Sequence, residues 1–371
     1  MSPLSHALTA TVLALGLAAT AQAGYLENPD YPLSANEQLY ADLFKLSPQE
    51  RHKRLVEGAT KEGKLEFIQT LGGALGRNNT KVFRDAHPFI TVRETNLGTN
   101  LAIDRLVVEE RAGQHITDVT GGDITESSYP LELGFLARYP TPATDNILPQ
   151  YKGFLDKHHR WIVYAWLEKG ISYNTNVISE ADAPKSHFDL CNPKHKGNLS
   201  MEPARVRFLQ FLQKMMGEEK MIEWFKCIKE MQPIMNRDAS VRMELMLAGD
   251  HGIQVDNSFY VLYQRAQDVA RKRGVDKVPY KMVLTTPIMA QPSGCVINRM
   301  ANNPHASALF CDFLLGKEIQ QFMYDNYRNP VTLPSPFMPK DIELITVEPI
   351  PAAEADRLHG LYSEHFGTRK G

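Results

Sequence analysis

Lys64-Leu65-Glu66-Phe67-Ile68-Gln69-Thr70-Leu71-Gly72-Gly73-Ala74-Leu75-Gly76 is the stretch whose reading decides the fold. Its first six residues alternate polar and apolar as a half-buried strand does. The next seven form a glycine-rich loop entering a helix over about 76–86, which His87-Pro88 brings to an end. Phe89-Ile90-Thr91-Val92-Arg93-Glu94 then reads as a second strand, and a second helix runs from about 100 to 112 before Gly113. Asp118-Val119-Thr120 is a short third strand leading into Gly121-Gly122-Asp123. Strand, helix, strand, helix, strand predicts a parallel, doubly wound sheet. Ligands of such sheets bind in the crevice beyond the carboxyl ends of the strands. That rule marks residues 70–73 and 121–123 as candidate binding loops.

The pattern restarts after Trp161. Ile171-Ser172-Tyr173-Asn174-Thr175 reads as a strand and turn, and Lys196-Gly197-Asn198-Leu199-Ser200-Met201 as another strand. Pro203 opens a helix, further helices cover about 218–231 and 239–248, and Gly252-Ile253-Gln254-Val255-Asp256 is a strand feeding a helix over 258–273. This is a second α/β unit built on the same logic as the first. Residues after about 330 carry proline-rich extended connections at 334–339 and 349–351, then a final helix over 352–365.

Residues 1–23 read as a cleavable export signal. An apolar run of about a dozen residues from Leu8 is too short for the roughly 20 needed to cross a bilayer, and Ala21-Gln22-Ala23 supplies a small-x-small cleavage pattern. The expected location of the remainder is periplasmic. Residues 24–60 form an N-terminal extension with its own helix, signalled by Ser47-Pro48-Gln49-Glu50: a cap, a proline at the first helical position and an acid in the first turn. No later stretch approaches membrane-spanning length, so no direct membrane insertion is expected. A 43% hydrophobic content supports two cores, and a net charge of −2 offers no footprint for nucleic acid. In an oxidising compartment the four cysteines, Cys191, Cys227, Cys295 and Cys311, permit three pairings. Sequence order favours Cys191–Cys227 and Cys295–Cys311; the other reading is four buried thiols. No CxxC spacing occurs.

Several separated landmarks resemble the periplasmic solute-binding proteins of ABC importers, especially the branch containing ferric-ion-binding proteins. They are Glu62-Gly63-Lys64-Leu65-Glu66-Phe67; Leu106-Val107-Val108-Glu109-Glu110-Arg111-Ala112-Gly113; Ile171-Ser172-Tyr173-Asn174-Thr175-Asn176; Leu247-Ala248-Gly249-Asp250; and Phe313-Leu314-Leu315-Gly316-Lys317-Glu318-Ile319-Gln320 with Arg328-Asn329-Pro330-Val331. The resemblance covers about residues 60–330. It implies an α/β fold of two doubly wound lobes joined by a two-strand hinge, of the type II periplasmic-binding-protein kind, with the ligand cleft between them. Lobe 1 would hold 61–165 plus 288–325. Lobe 2 would hold 166–287 plus the C-terminal segment 326–371. The implied partners are a small-molecule solute and an inner-membrane permease with its ATPase, and a monomer suits that task. A binder that reports to a receptor kinase would share the same fold and cleft.

Ferric-binding relatives supply a His after the first strand, an acid after the third and adjacent tyrosines in lobe 2. Here Asp123 falls at the acid position and Tyr260 at the second tyrosine. The His position falls near Gly72 and the first tyrosine becomes Phe259, so half of that metal site is missing. An anionic or polar organic solute of the phosphonate, phosphate-ester or carboxylate class accounts better for the substitutions. Thr70, Gly72 and Gly73 offer a hydroxyl and backbone N–H groups near a helix N-terminus. Ala204 and Arg205 open the helix after Pro203, where Arg205 is a bidentate donor for a carboxylate or phosphate. Arg237 lies in a second strand-to-helix loop facing the expected cleft, and Asn257 adds an amide. No cofactor is called for. The absence of a Gly-x-Ser-x-Gly elbow, a His-Glu-x-x-His pair or a P-loop argues against an enzyme.

Overall fold

The computed structural model describes residues 32–70, 74–203, 205–258, 267–268, 271–272, 274, 278–284 and 287–367. The expected export signal and the expected binding residues Gly72, Gly73, Ala204 and Tyr260 lie outside the described residues. So does the side chain of Asn257.

Two helices precede the first strand. Helix α1 (Ala35–Phe44) is closed at its start by a reciprocal pair: the Ser34 hydroxyl accepts the Glu37 N–H, and the Glu37 carboxylate accepts the Ser34 N–H. Helix α2 (Pro48–Glu62) begins as its sequence predicts, with Ser47 capping Glu50 and Pro48 at the first helical position. It stops at Gly63, whose φ of 67° is the left-handed conformation that glycine adopts without cost. Next come β1 (Lys64–Gln69), α3 (Ala74–Ala86), β2 (Thr91–Asn96), α4 (Thr99–Arg111), β3 (Val119–Asp123) and the short α5 (Ser128–Glu132). Strand β4 (Ile162–Asn174) leads into the second unit of β5 (Leu199–Met201), α6 (Val206–Met216), α7 (Glu218–Glu230), β6 (Ile234–Met235), α8 (Ala239–Ala248), β7 (Ile253–Ser258) and β8 (Tyr280–Val283). The chain returns through β9 (Ile288–Ile297) to α9 (Pro304–Phe313), α10 (Lys317–Asp325), β10 (Asn329–Pro330), β11 (Leu344–Thr346) and α11 (Ala352–His365).

The strands form one sheet with the main order β2-β1-β3-β9-β4-β7-β5-β6. In the first unit β1 lies between β2 and β3, parallel to both. In the second, β5 lies between β6 and β7, again parallel to both. The third strand of each unit abuts a long central strand in antiparallel fashion: β3 against β9, and β7 against β4. Strands β4 and β9 pair with each other across the middle. The sheet is thus two parallel three-stranded blocks joined by an antiparallel pair.

Two hydrophobic clusters flank that pair. The first gathers Phe67, Phe83, Leu106, Ile162, Trp166 and Phe310, and takes in Tyr40, Leu43, Leu55 and Ala59 from the N-terminal helices. The second gathers Ile171, Leu199, Phe208, Trp224, Phe225 and Ile253. Each fully buried side chain of this kind contributes about 1.5–3 kcal/mol. Strand β4 carries Ile162 to Trp166 into the first cluster and Ile171 and Tyr173 into the second. These are the two lobes, and β4 and β9 are the strands that cross between them. Strand β11 lies parallel to β9 at the same crossing.

The C-terminal segment divides between the lobes, whereas the sequence reading assigns all of 326–371 to lobe 2. Asn329 pairs with Trp166 of β4, which turns the chain back so that Val331 and Met338 join the first cluster. Leu358 and Tyr362 of α11 join the second. Disulfides link Cys191 to Cys227 in lobe 2 and Cys295 of β9 to Cys311 of α9 in lobe 1. Among the described residues no helix is long and apolar enough to cross a membrane.

Candidate functional site between the lobes

The carboxyl ends of β1 and β3 and the loop from β5 to α6 converge on one region. On the lobe 1 side, the Asp123 carboxylate accepts both the N–H (2.9 Å) and the hydroxyl (2.6 Å) of Thr125, which folds the loop after β3 tightly. Its other oxygen faces lobe 2, 3.8 Å from Arg207 Nη1. The Thr70 hydroxyl is used within the lobe: it donates to the Gly121 carbonyl at 3.2 Å and accepts the Asp123 N–H at 3.3 Å. Thr70 therefore ties the ends of β1 and β3 together.

Lobe 2 contributes guanidinium groups. Arg205 is the residue before α6, and its Nε donates to Glu202 at 2.6 Å. Arg207, only 7% exposed, lies among three carboxylates: Glu202 at 3.4 Å, Glu126 at 3.6 Å and Asp123 at 3.8 Å. Its Nε has no hydrogen-bond partner. Because Asp123 and Glu126 belong to lobe 1 and Glu202 to lobe 2, Arg207 joins the lobes electrostatically. Burial, together with repulsion from Asp123, raises the Glu126 pKa despite Arg207. For Glu202 burial acts in the same sense, but Arg207 and Arg205 outweigh it and lower the pKa.

Behind this layer the charge cluster continues to Asp256. It is buried at a φ of 56°, unusual for a residue other than glycine, and neither carboxylate oxygen has a hydrogen-bond partner. Burial raises its pKa against the pull of Lys169, Arg207 and Arg242. Arg242 is fully buried in turn, with one guanidinium nitrogen on the Asn236 carbonyl.

A cavity of about 200 Å³ opens in front of Arg205, lined by Asn100, Glu126, Glu202, Pro203, Arg205, Val206, Arg237 and His359. Two helices begin at it. Asn100 sits in the first turn of α4 and Val206 starts α6, and neither helix has a side chain capping its N-terminus. First-turn N–H groups, which have no partner within their own helix, and the positive end of each helix dipole therefore lie at the same space. A larger cavity of 480 Å³ lies behind the crossing strands, between Tyr151, Trp166 and Met338, away from these strand ends.

The sequence profile of the bacterial extracellular solute-binding proteins matches residues 130–349. The chain belongs to that family. The major ferric iron-binding protein of Neisseria gonorrhoeae is 25% identical over 205 residues, covering 53% of this chain and 58% of that protein. The chain thus spans little more than half the length of the sequence relative it matches. Among solved structures, iron-bound HitA from Pseudomonas aeruginosa aligns with a TM-score of 0.65 at 18% identity, over 81% of this chain and 98% of HitA. AfuA from Actinobacillus pleuropneumoniae, solved with fructose-6-phosphate, aligns with a TM-score of 0.68 at 19% identity, over 83% of this chain and all of AfuA. These likenesses establish the type II periplasmic-binding-protein fold for this member of the family.

Of the residues singled out from sequence, Asp123, Arg205 and Arg237 meet at this cleft, while Thr70 is engaged inside lobe 1. Sequence reasoning missed Asn100, Glu126, Glu202, Arg207 and His359 as residues of this cleft. Glu202 and Glu126 do carry a local signal, since each stands within three residues of a strand end. Among the described residues, no group of three His, Cys, Asp or Glu side chains is arranged to hold a metal ion.

Proposed function

We propose that this chain is the periplasmic solute-binding component of an ABC importer and that it captures a small anionic solute between its lobes. The class is a phosphate ester, phosphonate or carboxylate, handed on to a permease without chemical change. The observation that carries this reading is the cavity onto which two uncapped helix N-termini open, beside Arg205 and Arg237. Oriented N–H groups and guanidinium forks are the donors that bind oxyanions. The buried Arg207 behind them pairs with Asp123, Glu126 and Glu202 and braces the floor of the cleft.

Ferric iron is the alternative that the names of the gonococcal relative and HitA bring forward. In this chain Glu202 and Glu126 already face Arg205 and Arg207. A trivalent cation placed there would sit against two guanidinium groups and two positive helix ends, which disfavours it. Isothermal calorimetry of the processed chain against inorganic phosphate, glycerol 3-phosphate, citrate and ferric ion decides between the two. An anion is expected to bind without iron, and Arg205→Ala to weaken it by about 1.5–3 kcal/mol, the worth of a hydrogen bond to a charged group. Binding of ferric ion alone, unaffected by Arg205→Ala, would sink the anion reading.

A further inference from the structure

The C-terminal helix α11 lies beyond the stretch matched by the family profile, which ends at residue 349. Its body is seated on lobe 2. Leu358 and Tyr362 are buried in the second cluster, and the Tyr362 ring meets Phe225 edge-on at 5.4 Å. Arg357 pairs with Glu218 at the start of α7. Its first turn reaches the other lobe: the Ala352 N–H donates to Glu132 Oε1 at 2.7 Å. Glu132 is the last residue of α5, whose Pro130 and Leu131 are buried on the lobe 1 side. Pro351, at the cap position, supplies no side-chain acceptor, so Glu132 acts as a cap borrowed from the opposite lobe.

His359 stands seven residues after Ala352, two turns along the same helix face. It lines the cavity together with Asn100 and Glu126 of lobe 1 and Arg205 and Arg237 of lobe 2. One face of α11 thus carries both a contact across the lobes and an imidazole at the binding cavity, while Leu358 and Tyr362 anchor the helix to lobe 2.

We propose that α11 is a strap across the cleft that supplies His359 as a recognition residue for the anionic solute and latches the closed form through Glu132. The inference rests on the anion-capture reading above. The imidazole N–H is a donor at the cavity that Arg205 and Arg237 also line. The latch favours the closed state, and apparent affinity scales with the fraction of molecules in that state.

The test is calorimetry and stopped-flow dissociation on the full processed chain, with inorganic phosphate, glycerol 3-phosphate and citrate as probes. Glu132→Ala is expected to weaken every probe that binds by the same factor, at least fivefold, mostly through faster release. Glu132→Gln, which keeps an oxygen acceptor, should recover most of that loss. His359→Ala should weaken binding at least fivefold and change the ratio of phosphate-ester to citrate affinity, and His359→Gln should restore part of it. Both positions are exposed enough for the variants to fold, and circular dichroism melting checks that they do. If Glu132→Ala and His359→Ala both bind within twofold of the parent while Arg205→Ala loses binding, the strap is refuted and anion capture stands. If Arg205→Ala also binds normally, or no anion binds, the anion reading fails and the strap falls with it.

Discussion

The two lobes repeat one topology and carry opposite charge at the same place. In each, the first strand is central, the second lies outside it, and the third abuts a crossing strand. Yet the strand ends of lobe 1 present Asp123 and Glu126, whereas those of lobe 2 present three guanidinium groups, Arg205 and Arg207 at the start of α6 and Arg237 after β6, against the single carboxylate Glu202. A shared backbone plan therefore fixes where a site forms and leaves its chemistry to a few loop residues. The difference also means that the lobes attract one another directly. An incoming anion has to share Arg205 with Glu202 and Glu126.

The comparison is broken most severely by removing the charge that joins the lobes. Arg207→Ala leaves Asp123, Glu126 and Glu202 crowded without their common counter-charge, and should cost about 3–5 kcal/mol, as loss of one partner of a buried ion pair does. Urea denaturation measures this, and a loss under 1 kcal/mol would show that the opposed charges do not hold the lobes together. Next come the disulfides, one in each lobe. Replacing Cys191 and Cys227, separated by 36 residues, should cost about 4 kcal/mol on chain-entropy grounds. Replacing Cys295 and Cys311, 16 residues apart, should cost about 3 kcal/mol. The reverse order would mean that the crossing strand β9 depends more on its staple than lobe 2 does.

Acid should act on lobe 1 through Glu37. Burial pushes its carboxyl up, but the Arg138 side chain, the backbone N–H groups of Ser34 and Arg138, and then Arg299 hold it at about 2, against 4.5 for an ordinary glutamate. A lowered acid pKa means that the folded state binds fewer protons. The stabilisation is therefore present above pH 4.5 and is lost as pH falls toward 2, at most about 3 kcal/mol. Glu37→Gln should flatten that part of the stability–pH curve; an unchanged slope would assign it to other carboxylates. Gly294→Ala probes the crossing strand, because a Cβ there would stand 2.4 Å from Ile124 Cγ2 and 3.3 Å from the Ile162 carbonyl. It should cost about 1–3 kcal/mol, as overpacking does. The smallest effect on stability is expected for Arg237→Ala, within about 0.5 kcal/mol as for a surface change, together with about a tenfold loss of anion affinity. Unaltered affinity would remove Arg237 from the site.

Most of the parallel blocks was legible in the sequence because their signals are local. Alternation in β1, the Ser47 cap and the glycine stops all lie within a few residues of what they determine. Strand β4 was read only from Ile171 onward, although it begins at Ile162. It is buried on both faces along nearly its whole length, so its apolar run lacks the alternation that marks a strand. The site was legible only in part. Arg205, Arg237 and Asp123 stand at strand ends and could be picked by position. The burial of Arg207 depends on Asp123 and Glu126, about 80 residues away, and His359 reaches the cavity from a helix more than 100 residues beyond Arg205. Thr70 taught the converse: its hydroxyl is consumed by the neighbouring strand.

The crossing strands have a mechanical consequence. Pairing shifts register between Val163 and Ala165 on the β9 side of β4, and between Gly170 and Ser172 on the β7 side. The uninterrupted ladder between these slips is short, from Ala165 to Lys169, and it lies where β11 is laid along β9. Any swivel of one lobe against the other has to be taken up as torsion over that span. Within that span β10 backs β4 at Ala165 and Trp166, and β11 backs β9 at Met289 and Ala290, so a third strand stiffens each end and the β4–β9 pair around Leu167 is left to take up the torsion.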